Sequence, residues 1–325
     1  MLRHLKQHTV FILYIGLIVF HSACSDMKAP SFGPRSAEEY QEVEKSYKSV
    51  LKMWPVRHER IFVDTSYGNT HIITWGKKNN PPLMLFHGIG NCALIWIFIA
   101  EQLADHFYVI APDTVGDPGL SVPKKSFKSP GDYAGWFSEL LDGMGLAAVN
   151  VAGFSWGGGI SLQIALQYPD RIKRMVVMSP AWGLKTPGIW PLLQYVIPVV
   201  LFPNAERVRS LFEWIIVKRP DSADKKLDAL IEFFVVGFKH NKFPGMLNPA
   251  VFSDKELKQI KVPILLIFGD HEVLYSDPLA VMKRAKDNIP GINVKLIPHA
   301  GHFLIFDRPH VIGKEILVFL KGRSG

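Results

Sequence analysis

The stretch Val149-Asn150-Val151-Ala152-Gly153-Phe154-Ser155-Trp156-Gly157 decides the reading of this chain. Val149–Ala152 is a short apolar run with the look of a strand buried on both faces, and Trp156–Tyr168 is long enough for a helix. Between them lies the pattern G-x-S-x-G. A chain of this length meets that pattern by chance about one time in ten, so the placement matters more than the pattern. A serine on a tight strand-to-helix turn is held in a strained backbone conformation above the sheet, and flanking glycines let strand and helix approach closely. The helix N-terminus beside it favours developing negative charge. Ser155 is therefore the candidate nucleophile.

A serine hydroxyl needs a base to take its proton and a carboxylate to fix the tautomer of that base. The chain supplies candidates for both downstream of Ser155. His299 and His302 follow the strand candidate Val294–Ile297, and Asp270, Glu272 and Asp277 follow the strand candidate Ile264–Phe268. Asp270 stands immediately after Gly269 at the strand end, which favours it as the orienting acid.

Outward from this stretch, further strand candidates fall at Ile61–Asp64, His71–Trp75, Leu83–Phe86, Tyr108–Ala111 and Met175–Met178. Helical patterns lie at Ala93–Ala104, Tyr133–Leu141, Pro278–Asn288 and His310–Leu320. This alternation predicts an α/β fold: a mainly parallel eight-stranded sheet with helices on both faces. From residue 183 to 250 the rhythm gives way to helix-length runs rich in Trp, Phe, Leu, Ile and Pro, read as an inserted helical cap. The core is thus expected over 61–182 and 251–325. Residues 24–60 read as a Pro- and Gly-bearing tether, 29–36, followed by a helix whose stripe Tyr40, Val43, Tyr47, Val50, Leu51 and Trp54 packs on the core before Pro55.

Across roughly Ile61 to Leu320 the chain resembles the α/β-hydrolase superfamily, in particular its capped serine-esterase members. Four placed motifs carry the resemblance: the turn at Ser155, His87-Gly88-Ile89-Gly90 after the third strand, Gly269-Asp270, and Ala300-Gly301-His302-Phe303. It implies that His302 rather than His299 is the base, that the backbone N–H groups of Ile89 and Trp156 form an oxyanion hole, and that His87 and Gly88 support that loop. The loop Asp113–Ser121 is one residue longer than the usual family pattern, a softer likeness to bacterial carboxylesterases, and reads as a structural turn bordering the site. The implied chemistry is cleavage of small to medium apolar carboxylic esters through an acyl-enzyme on Ser155, with a small-molecule ester as partner and with neither cofactor nor metal. Rival readings keep the triad but cleave an amide, a peptide, a lactone or a C–C bond, or make the protein a non-catalytic ligand sensor. An aminopeptidase would need a cap carboxylate, for which Glu206, Glu213 and Glu232 are candidates.

The 325 residues are 48% hydrophobic and carry a formal charge of +8. The basic residues are spread along the chain without any nucleic-acid-binding signature, so no nucleic-acid partner is expected. The two cysteines, Cys24 and Cys92, exclude a disulfide framework and lack metal or redox spacing. Arg3 and Lys6 precede the apolar run Val10–Phe20, which suits the core of a signal peptide over residues 1–23. The following His21-Ser22-Ala23-Cys24 resembles a bacterial lipobox, departing from it at His21, where an aliphatic residue is usual. The expected location is the outer face of a bacterial membrane, lipid-anchored through Cys24, with plain secretion as the alternative.

Overall fold

The computed structural model describes residues 36–188, 190, 192–217, 225–241 and 250–322. The chain divides into two units, Met1–Ser31 and Phe32–Gly325, and all the described residues belong to the second. The expected signal peptide, Cys24 and nearly all of the tether lie outside the described residues.

Helix α1, Ala37–Leu51, is capped by the Ser36 hydroxyl accepting the Glu39 N–H at 3.2 Å. Its buried residues are Val43, Tyr47, Val50 and Leu51, on the expected stripe. The sheet follows: β1 His58–Thr65, β2 Gly68–Trp75, β3 Pro82–Phe86, β4 Tyr108–Pro112, the two-residue β5 Val122–Pro123, β6 Val149–Phe154, β7 Ile172–Met178, β8 Ile264–His271 and β9 Asn293–Gly301. Its order is β1-β2-β4-β3-β6-β7-β8-β9, with β5 paired to β2. Strands β1, β2 and β5 pair antiparallel, as does β2 with β4, and along the order β4-β3-β6-β7-β8-β9 the strands pair in parallel. All eight expected strands are present, and the ninth is too short to leave a sequence signal.

The period-two geometry of a strand sorts its side chains onto two cores. Leu83 and Leu85 of β3, and Val176 and Met178 of β7, face one of them. Met84, Phe86, Met175 and Val177 face the other. The second core is closed by helices α3, Pro130–Gly143, α4, Trp156–Gln167, and α9, Pro278–Asn288. The first is closed by α1, a 3-10 turn at Ala93–Phe98, α2 at Ala100–Ala104, α10 at Leu304–Asp307 and α11 at Pro309–Leu320. The single helix expected over Ala93–Ala104 is thus split at Ile99. The β-branched and aromatic run Leu94–Ile99 has lower helix propensity, and tertiary burial of nearly all of it fixes the tighter turn.

The chain leaves the core at Gly183 and returns at Val251, where the two crossings are bridged in parallel. The Gly183 N–H donates to Ala250 O and the Phe252 N–H to Gly183 O, both at 2.9 Å. Between them stand α5, Ile197–Leu201, α6, Ala205–Ile215, and α7, Lys225–His240, with α8, Asp254–Leu257, following the return. Helix α1 braces α7 as well as the core, since Tyr47 packs edge-on to Phe233 and His240 meets Glu42 at 2.7 Å. Among the described residues no helix is long and apolar enough to cross a membrane.

Candidate active site

Ser155 sits between β6 and α4 at φ 54° and ψ −115°, a conformation that side-chain-bearing residues rarely adopt. The turn is held by the Ser155 N–H donating to Met178 O at 2.9 Å and the Ala181 N–H donating to Ser155 O at 3.0 Å. Its glycines are required sterically. A Cβ on Gly153 would lie 2.2 Å from Gly157 O, and one on Gly157 would lie 2.2 Å from Phe86 O.

His302 reaches this hydroxyl from the turn after β9. Its Nε2 lies 2.9 Å from Ser155 Oγ, and its Nδ1 lies 3.0 Å from both carboxylate oxygens of Glu272. The carboxylate partner assigns the proton to Nδ1, which leaves the Nε2 lone pair for the serine hydroxyl. All three side chains are buried. The histidine turn is also tied to the cap: the Phe303 N–H donates to Ile215 O, and Asp307 accepts the N–H groups of both Gly301 and Val217.

The carboxylate that meets His302 is therefore Glu272 and not the expected Asp270. Asp270 Oδ1 meets His271 Nδ1 at 2.6 Å and accepts the Ala300 N–H at 3.2 Å, so it ties β8 to β9 away from His302. Burial pushes its carboxyl up, but the His271 hydrogen bond and the N–H groups of His299 and Ala300 outweigh this and bring its pKa down to about 2. The physical reason lies in β8, which continues three residues past Phe268 and shifts register against β9 between Gly269 and His271. The carboxylate that clears the strand end is the one two residues further on. Glu272 also accepts the Leu274 N–H at 2.9 Å. Burial would raise its pKa, yet the charge and hydrogen bond of His302, helped by Leu274 N–H and the nearby Ser179, hold it below the usual carboxylate value. Of the other candidates, Asp277 caps α9 and His299 lies in exposed backbone at φ 56°.

The His87–Gly90 loop lies against Ser155: a Cβ on Gly88 would stand 3.2 Å from Ser155 Cβ. His87 is fully used in supporting the loop. Its Nδ1 donates to Gly88 O at 2.8 Å, and its Nε2 accepts the Thr114 N–H at 2.9 Å. Burial lowers its pKa, which keeps it neutral. The backbone N–H groups of Ile89 and Trp156 have no partner among the described residues, and both residues line the cavity above Ser155. Cys92 is a buried free thiol whose pKa burial drives well upward, so it is inert there.

That cavity, about 150 Å³, is walled by core and cap side chains such as Val199, Val208, Phe212, Phe234 and Leu274. Among the described residues, its only titratable lining side chain is His302. Glu206, Glu213 and Glu232 are exposed and do not line it. Among the described residues no cluster of His, Cys, Asp and Glu is placed to hold a metal ion. A hydroxyl, an imidazole and a buried carboxylate in sequence, facing free N–H donors and an apolar cavity, are equipped for nucleophilic acyl transfer.

The profile of the α/β hydrolase fold matches residues 81–213. Carboxylesterase YbfK of Bacillus subtilis (strain 168) is 32% identical over 286 residues, covering 85% of this chain and 93% of that protein. The chain belongs to the α/β-hydrolase family. The crystal structure of carboxylesterase CesB (YbfK) from Bacillus subtilis superposes on this α/β hydrolase with a TM-score of 0.79 at 30% identity, covering 88% of this chain and 99% of that one. That of naproxen esterase (carboxylesterase NP) from the same organism gives 0.79 at 27% identity, covering 88% and 100%. In this α/β hydrolase, the strands, the Ser155 turn and His302 were legible in sequence. Glu272 is, with Asp277, one of the acids that compete with Asp270 in sequence, because nothing in the run Gly269-Asp270-His271-Glu272 marks where the strand stops.

Proposed function

We propose that this protein is a serine carboxylesterase acting on small to medium esters with apolar acyl or alcohol groups. The observation that carries the reading is the unbroken relay from Ser155 Oγ through His302 to Glu272, at 2.9 and 3.0 Å. Ser155 attacks the ester carbonyl while His302 Nε2 takes its proton, and Glu272 stabilises the resulting imidazolium without itself being protonated. The Ile89 and Trp156 N–H groups receive the tetrahedral oxyanion, each such donor contributing about 3 kcal/mol to the barrier reduction. His302 returns the proton to the leaving alcohol, and water then releases the acid from the Ser155 acyl-enzyme. The similarity to two carboxylesterases over most of the chain supports the same bond type. Glu206, Glu213 and Glu232 are exposed, and among the described residues no carboxylate lines the cavity to hold a substrate ammonium, which disfavours an aminopeptidase.

The test is hydrolysis of a short-chain p-nitrophenyl ester beside the corresponding anilide. Ester turnover that disappears in Ser155→Ala is expected, and faster anilide than ester turnover would overturn the bond assignment. We also propose that the protein is exported and anchored by acylation of Cys24, on the strength of the apolar run Val10–Phe20 and the small residues before that cysteine. Expressed in a bacterium, the wild type should fractionate with membranes and Cys24→Ala should not; a variant that still sediments with them would exclude lipid as the anchor.

A further inference from the structure

The two peptide groups that flank Ile89 have four polar atoms between them, and three are engaged. Gly88 O accepts both from His87 Nδ1 at 2.8 Å and from the Asn91 N–H at 3.2 Å. Ile89 O accepts from Asn91 Nδ2 at 3.0 Å, and the Gly90 N–H donates to Asp117 Oδ1 at 3.0 Å. Only the Ile89 N–H is left for a ligand. Gly90 adopts φ +68°, so the peptide before it turns on a glycine, the residue with the least resistance to rotation. The Ile89 N–H belongs to the preceding peptide, so the Asp117 contact acts on it through the Ile89 Cα that joins the two: with the Gly90 N–H freed, that Cα loses an anchor on its C-terminal side and the donor it carries is held less firmly.

Asp117 is an unexpected residue to find buried at this spot. Among the described residues no cation pairs with it, and the titratable groups around it are Asp113, Tyr133 and the Cys92 thiol, none of which supplies positive charge. Burial, with Asp113 adding to it against the Gly90 N–H, raises its pKa to about 7. A carboxyl in such a place costs stability that a neutral side chain would not, and groups of that kind concentrate where geometry is needed for function. The rest of its loop is anchored elsewhere: the Thr114 N–H to His87, and Asp113 to the N–H groups of Ala93 and Leu120 and to the Tyr47 hydroxyl. Next to Asp117, Pro118 abuts Gly237 of α7, where a Cβ would come within 2.8 Å of the proline ring. The loop is a strut between the cap and the oxyanion loop, and Asp117 is its working end.

We propose that Asp117 is a positioning residue for acyl transfer, anchoring the chain immediately after Ile89 through the Gly90 N–H so that Ile89, and with it the N–H of the preceding peptide, stays directed at the developing oxyanion. The assignment rests on the esterase reading above. It predicts an effect on kcat rather than KM, because the donor is used most strongly in the transition state.

The experiment compares wild type, Asp117→Ala and Asp117→Asn on a p-nitrophenyl ester, with Ser155 titrated by a fluorophosphonate so that rates are per active serine. Asp117→Ala should lose about ten- to a hundredfold in kcat with KM changed less than about twofold, short of the cost of deleting an oxyanion donor outright. Asp117→Asn, whose amide oxygen can accept the same N–H, should recover most of that loss. Stability supplies an independent readout. A carboxyl whose pKa rises from 3.8 when unfolded to about 7 when folded contributes stability below the lower value, which is lost as pH climbs to the higher one. The unfolding midpoint of Asp117→Asn should therefore rise relative to wild type between about pH 4 and about pH 7. Unchanged kcat in Asp117→Ala, or parallel unfolding midpoints, would overturn the assignment while leaving the esterase reading intact. Failure of the wild type to label at Ser155 would overturn both.

Discussion

Among single residues, Glu272 and Asp270 show how narrowly a site can be misplaced. Both are acids at the top of β8, two positions apart, and both end with a lowered pKa, yet one faces His302 and the other His271. A turnover measurement should separate them cleanly. Glu272→Gln retains the shape but lets the amide stabilise the wrong imidazole tautomer, so kcat should fall by about 10³- to 10⁴-fold. Asp270→Asn should leave kcat near the wild-type value, because its partners are His271 and the backbone N–H groups of His299 and Ala300 in β9. The reverse order of effects would restore Asp270 as the orienting acid. Ser155 and His302 were legible because each sits in a motif with a steric or chemical requirement of its own. The choice between two neighbouring carboxylates depends on strand length and a register shift, which only the assembled ladder fixes.

At the scale of elements, the strands announced themselves through composition, since β3, β6 and the Met175–Met178 part of β7 are covered on both faces and have little room for polar residues. Helix α9 was equally plain, with Pro278 at its first turn and the Asp277 carboxylate accepting the Ala280 N–H at 2.9 Å. The loops that shape the site were far less readable. Asp113 looked like part of a bordering turn, yet its carboxylate gathers the Tyr47 hydroxyl, His71 and the N–H groups of Ala93 and Leu120. Those donors come from four separate parts of the chain, so no local pattern could have revealed their convergence. The same holds for Asp117 and Gly90, 27 residues apart.

On the scale of the whole molecule, the cap does more than cover the core. Its helix α6 delivers Ile215 O to the Phe303 N–H beside the histidine, and α7 both walls the cavity and is braced from outside by α1. The net charge of +8 leaves no trace inside, where among the described residues neither Lys nor Arg lines the space above Ser155. That bears on the end of the catalytic cycle rather than its start. On the esterase reading, the acid released ionises at neutral pH, and in this chamber its carboxylate trades hydration for no more than the Ile89 and Trp156 N–H groups and His302, with no fixed Lys or Arg among the described lining residues. The neutral alcohol bears no such penalty. Added to a steady-state assay, the alcohol product should compete with the ester appreciably better than the acid of matched size; an acid that competed as well would mean a cation reaches the chamber during turnover. The enzyme would then clear its anionic product by making it uncomfortable to stay, and turnover would resist stalling as that product accumulates.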